Sequence, residues 1–239
     1  MEIEDRRELG AYTLLSYRWP GEGIESGRFV MARGAGYPVT LDPFLARPFS
    51  FYDFADGVAS ILFEVRGRGT ALLDRATDAI EVTAPLGIGF EIDTPGGRAA
   101  LLGGGIGVAP LKILARELAA RAIDYDVFLG FLDRRTAAVA DEFPDATVAT
   151  MDGSRGTPGT VLDAAPDLRE YPTVYACGPN AMLAAVKDAA GSEGLRQLSV
   201  EERMGCGNGS CNGCVVPVED GYVRSCIEGP VFRAEVLAW

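Results

Sequence analysis

Four of the five cysteines stand close together near the end of the sequence, Cys206, Cys211, Cys214 and Cys226, with the spacing C-x4-C-x2-C-x11-C. The first three follow the thiolate spacing used to hold a [2Fe–2S] cluster. Two iron ions bridged by sulfides need four thiolates, so a short loop must bring three of them round one small object. Gly205, Gly207, Gly209 and Gly213 lie between and beside these cysteines, and the tight turns predict positive φ there. A bare backbone can also aim N–H groups at the sulfurs and so tune the potential. Other uses of the cysteines fit less well. A zinc ribbon wants two C-x2-C pairs, and only one is present. A disulfide framework suits a short secreted chain, and Met1-Glu-Ile-Glu-Asp is too acidic to open a secretory signal. A Rieske centre needs two histidines, and the sequence contains none.

The missing histidine also excludes a Ser-His-Asp triad, a Cys-His pair and a His-ligated zinc site. Chemistry must then come from a cofactor, from Cys177, or from carboxylates and lysines. Lys and Arg total 22 against 34 Asp and Glu, a net charge of −12. That surface repels phosphate backbones and anionic lipid, so neither nucleic acid nor a membrane is expected as a partner. No apolar run reaches the length of a membrane span, and a cytoplasmic location is expected.

The elements that must position this chemistry fall into three stretches. Residues 1–95 carry short strand signals: Ala11 to Tyr17, Arg28 to Ala32, Ala59 to Val65 and Ala79 to Val82, punctuated by Gly, Pro and Asp. This pattern predicts a small antiparallel β-barrel, with one helix opening at Thr70 as N-cap. Residues 96–200 alternate strands and helices. Strands are expected at Ala99–Leu102, Asp126–Gly130, Thr147–Thr150, Thr173–Ala176 and Gln197–Val200. Helices are expected at Leu111–Arg121 and around Met182, Leu183 and Val186. An open, mostly parallel sheet with helices on both faces follows. Gly153 to Gly159 reads as a surface loop. In residues 201–239, Val215–Val218 and Tyr222–Arg224 flank an Asp220-Gly221 turn, which places Cys214 and Cys226 at the base of a hairpin. Pro217 implies an edge strand.

Further motifs point to ligands. Gly103-Gly-Gly-Ile-Gly-Val-Ala-Pro110 follows a strand and opens a helix, where backbone N–H groups can approach a diphosphate, although it is not the G-x-G-x-x-G fingerprint. A tight strand-to-helix turn is the alternative reading. Arg47-Pro48-Phe49-Ser50, ending a loop before a strand, combines a cation, a ring and a hydroxyl able to hold a phosphate and a flavin edge. Gly67-Arg-Gly69-Thr70 precedes the proposed helix as a second anion site. Tyr175-Ala-Cys177-Gly178-Pro179 follows a strand, where open α/β sheets place ligands. Cys177 there is either near a reactive ring or a small buried thiol.

Taken together and in order, these motifs, with Pro85 to Phe90, Glu201 to Cys206 and Gly229 to Phe232, resemble the ferredoxin-reductase superfamily. More narrowly, they resemble the electron-transfer subunits of NAD-linked dihydroorotate dehydrogenases. The resemblance implies a multidomain β plus α/β oxidoreductase subunit: a flavin-binding barrel, a nicotinamide-binding domain and a [2Fe–2S] tail. It implies FAD contacts at Arg47, Pro48, Phe49, Ser50, Gly67, Gly69 and Thr70. Gly104, Gly105, Gly107, Cys177 and Gly178 would line the NAD site, and Cys206, Cys211, Cys214 and Cys226 would hold the cluster. It further implies electron transfer in pyrimidine biosynthesis with an FMN-containing catalytic subunit that oxidises dihydroorotate, in a heterotetramer of two plus two. This chain would have no orotate site of its own. Ser26-Gly-Arg-Phe29 departs from the family's common Pro-Gly-Gln-Phe. The same module in another complex, of the NADH-dependent ferredoxin–NADP reductase or sulfide dehydrogenase type, and a zinc-stabilised binding protein are the alternatives. NAD against NADP stays open: Asp133 can accept from a ribose hydroxyl, whereas Arg134 or Arg135 can welcome a 2′-phosphate.

Overall fold

The computed structural model describes residues 1–35, 42–92 and 97–239. The expected boundary between residues 95 and 96 falls outside the described residues. Among the described residues the first sheet contains β1 (Ile3–Leu9), β2 (Tyr12–Arg18), β3 (Phe29–Gly34), β4 (Arg47–Ala55), β5 (Val58–Phe63) and β6 (Ile80–Val82), with α1 (Arg68–Asp74) between the last two. The strands run antiparallel in the order β1-β2-β5-β4-β3-β6. The ends meet: Ile3 N–H donates to Asp78 O at 2.9 Å and Ile80 N–H to Met1 O at 2.8 Å, which closes the barrel.

β1 is missing from the sequence reading because its side chains are mostly charged, and closure of the ring overrides that polarity. Along β2 the period of two is plain. Leu15 and Tyr17 enter the barrel core with Val30, Phe51, Ile61 and Phe63, while Tyr12 and Leu14 face outward onto the second sheet. Arg47 to Ser50, expected in a loop, are the first residues of β4, paired with Ala32 to Phe29 of β3. Gly67, not Thr70, is the N-cap of α1. Thr70 sits one turn in, and its hydroxyl accepts from Arg66 N–H (3.0 Å) and Gly67 N–H (3.2 Å), closing the helix start from within.

The second sheet contains β7 (Ala99–Gly104), β8 (Tyr125–Phe131), β9 (Thr147–Thr150), β10 (Thr157–Pro158), β11 (Thr173–Gly178) and β12 (Leu195–Val200), interleaved with α2 (Ala109–Ala120), α3 (Val161–Ala164) and α4 (Asn180–Ala190). After β12 the chain forms a hairpin of β13 (Val215–Val218) and β14 (Gly221–Arg224), a short α5 (Ser225–Glu228) and β15 (Val231–Arg233). The sheet order is β10-β9-β8-β7-β11-β12-β15, parallel except for β15, which pairs antiparallel with β12. Leu101, Leu129 and Tyr175 pack on the α2 side, and Leu102, Phe128 and Ala176 on the α4 side. Leu111, Leu114 and Leu118 of α2 are buried on one face, as their spacing predicts.

The hairpin turn is Glu219-Asp220, one residue earlier than expected, since Gly221 already pairs with Val218. The loop expected at Gly153 to Gly159 contains β10, a two-residue strand added to β9. No helix of the described residues is long and apolar enough to cross a membrane.

Candidate functional site

Because β8 and β11 flank β7 on opposite sides, the chain reverses its direction of winding between β7 and β11, and a crevice opens at the C-terminal ends of these strands. A cavity of about 490 Å³ occupies it, lined among others by Tyr12, Gly104, Gly105, Phe131, Leu132 and Met182. Gly104 has no room for a side chain, since a Cβ would lie 2.3 Å from the Met182 sulfur. Gly105 turns into the following helix with φ +55°. The glycine run therefore gives the crevice a floor of bare backbone, and Pro110 enters α2 in its first turn.

Gly107, Cys177 and Gly178 are not among the residues lining this cavity. A Cβ on Gly107 would come within 2.3 Å of Cys177 O and 2.6 Å of Gly178 N, so the three pack against one another beneath the floor. Cys177 is buried, and its thiol pKa is pushed well up by burial first and by Glu201 second.

A second cavity, of about 270 Å³, lies between barrel and sheet. Arg47, Pro48, Phe49, Ser50 and Thr70, five of the seven residues that the resemblance assigns to FAD, line it. Gly67 and Gly69 do not line it, yet Gly69 shapes it. A Cβ there would meet the Arg47 guanidinium at 2.2 Å, so only glycine lets Arg47 lie against the start of α1. The Arg47 guanidinium donates to Leu45 O. The space admits a flat ring against Phe49 and Pro48, with a cation and hydroxyls at its rim, and so fits a flavin ring.

The two cavities share Glu64, Arg66, Ile106 and Glu201. Glu64 and Arg66 lie outside the ligand motifs of the sequence reading; Ile106 lies inside the glycine run and Glu201 opens the Glu201 to Cys206 motif, but neither was singled out as a site residue. Two signals were available: Arg66 directly precedes the Gly67 motif, and Glu201 directly follows β12, at the strand end where ligands bind. Arg66 is held by Glu64 at 2.6 Å, and this hydrogen bond raises its already high pKa. Glu201 is open to the cleft but ringed by protein atoms; that crowding pushes its carboxyl pKa up, and Arg66 pulls it back.

Asp133 spends its carboxylate on Thr136, accepting from the amide at 2.8 Å and from the hydroxyl at 2.9 Å, and these bonds lower its pKa. Arg134 donates to Ser154 O at 2.6 Å, and neither Arg134 nor Arg135 lines the crevice.

The cysteine segment leaves β12 and folds over β3. Of its glycines, Gly207 and Gly209 take positive φ (+71° and +80°) whereas Gly205 and Gly213 do not; Asn212 takes the other left-handed position, at +53°. A Cβ on Gly207 would lie 2.6 Å from Met31, so the loop seats directly on the barrel wall. The thiols come two by two. Cys206 Sγ accepts from Asn208 N–H at 3.5 Å and Cys211 N–H at 3.4 Å, and Cys211 Sγ accepts from Gly213 N–H at 3.4 Å. The Asn208 and Cys211 amides, Asn208 first, lower the Cys206 pKa to about 6. Cys214 and Cys226, 2 % and 1 % exposed, adjoin each other beside Phe29 and Met31. Burial first, then Cys214, pushes Cys226 up to about 11. Arg224 ties the loop to α5, donating to Gly209 O at 3.3 Å and to Glu228 at 2.5 Å. Among the described residues no three His, Cys, Asp or Glu side chains converge as a single metal ion would need. Two pairs of thiols suit two bridged irons, each taking two.

Comparison with known proteins agrees with this arrangement. Residues 201–238 match the family model described as the iron–sulfur cluster binding domain of dihydroorotate dehydrogenase B. The dihydroorotate dehydrogenase B (NAD(+)) electron transfer subunit of Bacillus caldolyticus is 41 % identical over 234 residues, 92 % of this chain and 89 % of that one. That of Caldanaerobacter subterraneus subsp. tengcongensis is 36 % identical over 244 residues, 98 % of this chain and 95 % of that one. Among solved structures, an NADH-dependent reduced ferredoxin-NADP oxidoreductase superposes with TM-score 0.85 and 26 % identity, over 100 % of this chain and 89 % of that one. Phthalate dioxygenase reductase shares the fold at TM-score 0.64 and 16 % identity, over 95 % of this chain and 93 % of that one. Identity of this extent along nearly the whole sequence means that the chain belongs to the family of electron transfer subunits of dihydroorotate dehydrogenase B.

Proposed function

We propose that this chain carries electrons between an FMN-containing, dihydroorotate-oxidising catalytic subunit and NAD, through a [2Fe–2S] cluster and FAD, in a heterotetramer of two plus two. One observation carries the reading. Phe29 and Met204 separate the paired thiols from the cavity between barrel and sheet, and that cavity in turn shares Glu64, Arg66, Ile106 and Glu201 with the crevice. A cluster exchanges one electron, nicotinamide a hydride, and a flavin either, so the flavin belongs in the middle position. Arg47, Ser50 and Thr70 would hold it in the barrel cavity, with Gly69 keeping Arg47 in place. Gly104 and Gly105 would bring backbone amides to the nicotinamide dinucleotide, whose ring would meet the flavin past Glu201 and Ile106. Cys206, Cys211, Cys214 and Cys226 would hold the irons. Gly107, Cys177 and Gly178 would support the crevice floor from below. The binding units correspond to residues 1–95, 96–200 and 201–239. With Arg134 tied to Ser154, and Arg66 the one arginine among the described residues lining the crevice, the sheet end suits a 2′-hydroxyl better than a 2′-phosphate, which favours NAD over NADP.

Cys211→Ser in the assembled complex should abolish transfer between this chain and its partner while NADH still bleaches the flavin absorbance at an unchanged rate. Loss of flavin reduction in a variant that retains its flavin would refute the order of carriers. A second reading, the same module serving a partner other than a dihydroorotate dehydrogenase, draws support from the match to the NADH-dependent reduced ferredoxin-NADP oxidoreductase. Purification from the native host decides between them: a co-purifying FMN protein that oxidises dihydroorotate supports the first, and any other stoichiometric partner the second.

A further inference from the structure

Arg66 is the one cation in the wall that the two cavities share, among the described residues, and two carboxylates, Glu64 and Glu201, stand in that wall with it. Its backbone is pinned, since its N–H donates to the Thr70 hydroxyl at 3.0 Å at the start of α1. Its side chain can turn. It is 73 % exposed, and Glu64, at 2.6 Å, holds it in the structure as it stands.

The cavities are unequally supplied with positive charge. The one between barrel and sheet has Arg47 besides Arg66, whereas among the described residues lining the crevice Arg66 is the one cation. On the crevice floor Gly105 turns with φ +55°, and the Tyr12 hydroxyl lies 3.8 Å from where its Cβ would be. Bare backbone, a phenol and one guanidinium thus line the same space, a donor set that suits a diphosphate. A flavin that takes up electrons gains negative charge, and a cation at its edge favours that gain. A dinucleotide brings two negative charges to the same guanidinium. Arg66 cannot serve both at full strength.

Resting on the reading above that the crevice takes NAD and the barrel cavity the flavin, we propose that Arg66 couples the two sites with a negative sign. A bound diphosphate draws Arg66 away from Glu64 and neutralises it, and the flavin potential falls. Glu64, left unpaired in the shared wall, acts in the same sense. By reciprocity, reduction of the flavin weakens dinucleotide binding by the same factor. The flavin therefore becomes the stronger reductant when the acceptor's dinucleotide is seated. No electron or proton moves in this step; one ion pair is exchanged for another.

ADP-ribose is the probe, because it carries the diphosphate but no nicotinamide to exchange a hydride. Its affinity for the full chain holding flavin and cluster is measured by anaerobic calorimetry, with the flavin oxidised and reduced. The flavin midpoint potential is read from the flavin bands with and without saturating probe. ADP-ribose should bind the reduced chain more weakly by about fivefold or more. The potential should fall with it, by about 30 mV for each tenfold. Arg66→Gln, at an exposed side chain, should weaken binding to the oxidised chain and abolish the shift, while Arg66→Lys, which keeps the cation, should retain it. An unshifted potential in a chain that binds ADP-ribose, or an undiminished shift in Arg66→Gln, overturns the coupling and leaves the reading of the crevice intact. A flavin-loaded chain that binds no ADP-ribose in either state overturns the reading of the crevice and the coupling with it.

Discussion

Gly107 shows how single positions govern the site without touching a ligand. Its α-carbon presses against the backbone of Cys177 and Gly178, and any Cβ would overlap the Cys177 carbonyl, which cannot retreat because β11 is paired on both sides. Gly107→Ala should therefore destabilise the chain by about 1–3 kcal/mol, read as a lowered urea midpoint. The same crowding explains Cys177. Its thiol is buried and its pKa raised, whereas Cys206, with amides pointing at its sulfur, is held near 6. The thiolate is the reactive form. In cluster-free folded protein at neutral pH, iodoacetamide should modify Cys206 and leave Cys177 untouched, as peptide mass spectrometry will show. Early modification of Cys177 would mean that it opens to the crevice after all.

Between elements, the contact of α2 with the barrel is held by Glu117. Its carboxylate accepts from Ser26 N–H at 3.1 Å and from the Ser26 hydroxyl at 2.5 Å, and Ser26 is 1 % exposed. Arg116 adds contacts to Asp53 and to Phe54 O. A proline at this position would offer neither donor. Removing the carboxylate with Glu117→Ala leaves both donors stranded. It should cost about 1–3 kcal/mol, seen as a lowered thermal midpoint, while Ser26→Ala costs less because the amide keeps its partner. The period-of-two strands, α2 with its leucines and the glycine run were legible in the sequence because each is a local pattern. The tail was legible as an iron–sulfur-binding segment from its cysteine spacing, in agreement with the family model that residues 201–238 match. What was not legible is long-range: β1, charged but needed to close the barrel; β15, three residues that pair only because β12 offers an edge; and the shared wall of Glu64, Arg66, Ile106 and Glu201, assembled from segments 40 to 137 residues apart.

For the molecule as a whole, alkaline pH is the informative stress. Tyr12, at the crevice, and Tyr171 have pKa values pushed up to about 12, by burial first in both cases, then by Glu64 and Asp126 respectively. Tyr17 and Tyr52 are raised further in the same direction by burial. An unfolded chain ionises its tyrosines near 10.0, so it releases protons that the folded chain keeps. The stability these residues contribute is complete below pH 10 and is lost as pH rises from about 10 through about 12. Urea midpoints should be level between pH 8 and 9.5 and fall steeply by pH 11, with the phenolate absorbance of these four tyrosines at 295 nm appearing as the chain unfolds.

The tail of the chain returns to the body that it left. β15 adds itself to β12, Val200 N–H donates to Pro230 O at 2.8 Å, Ser225 reaches Val200 O, and Leu237 bridges to Val218. Both ends of the cysteine lobe are thus riveted to the same strand, and it cannot swing on a tether as a shuttling domain would. The tunnelling gap between redox centres is then a constant of the architecture. Internal electron transfer should run at the same rate in buffer and in viscous glycerol, with any drag felt only where a freely diffusing dinucleotide comes and goes.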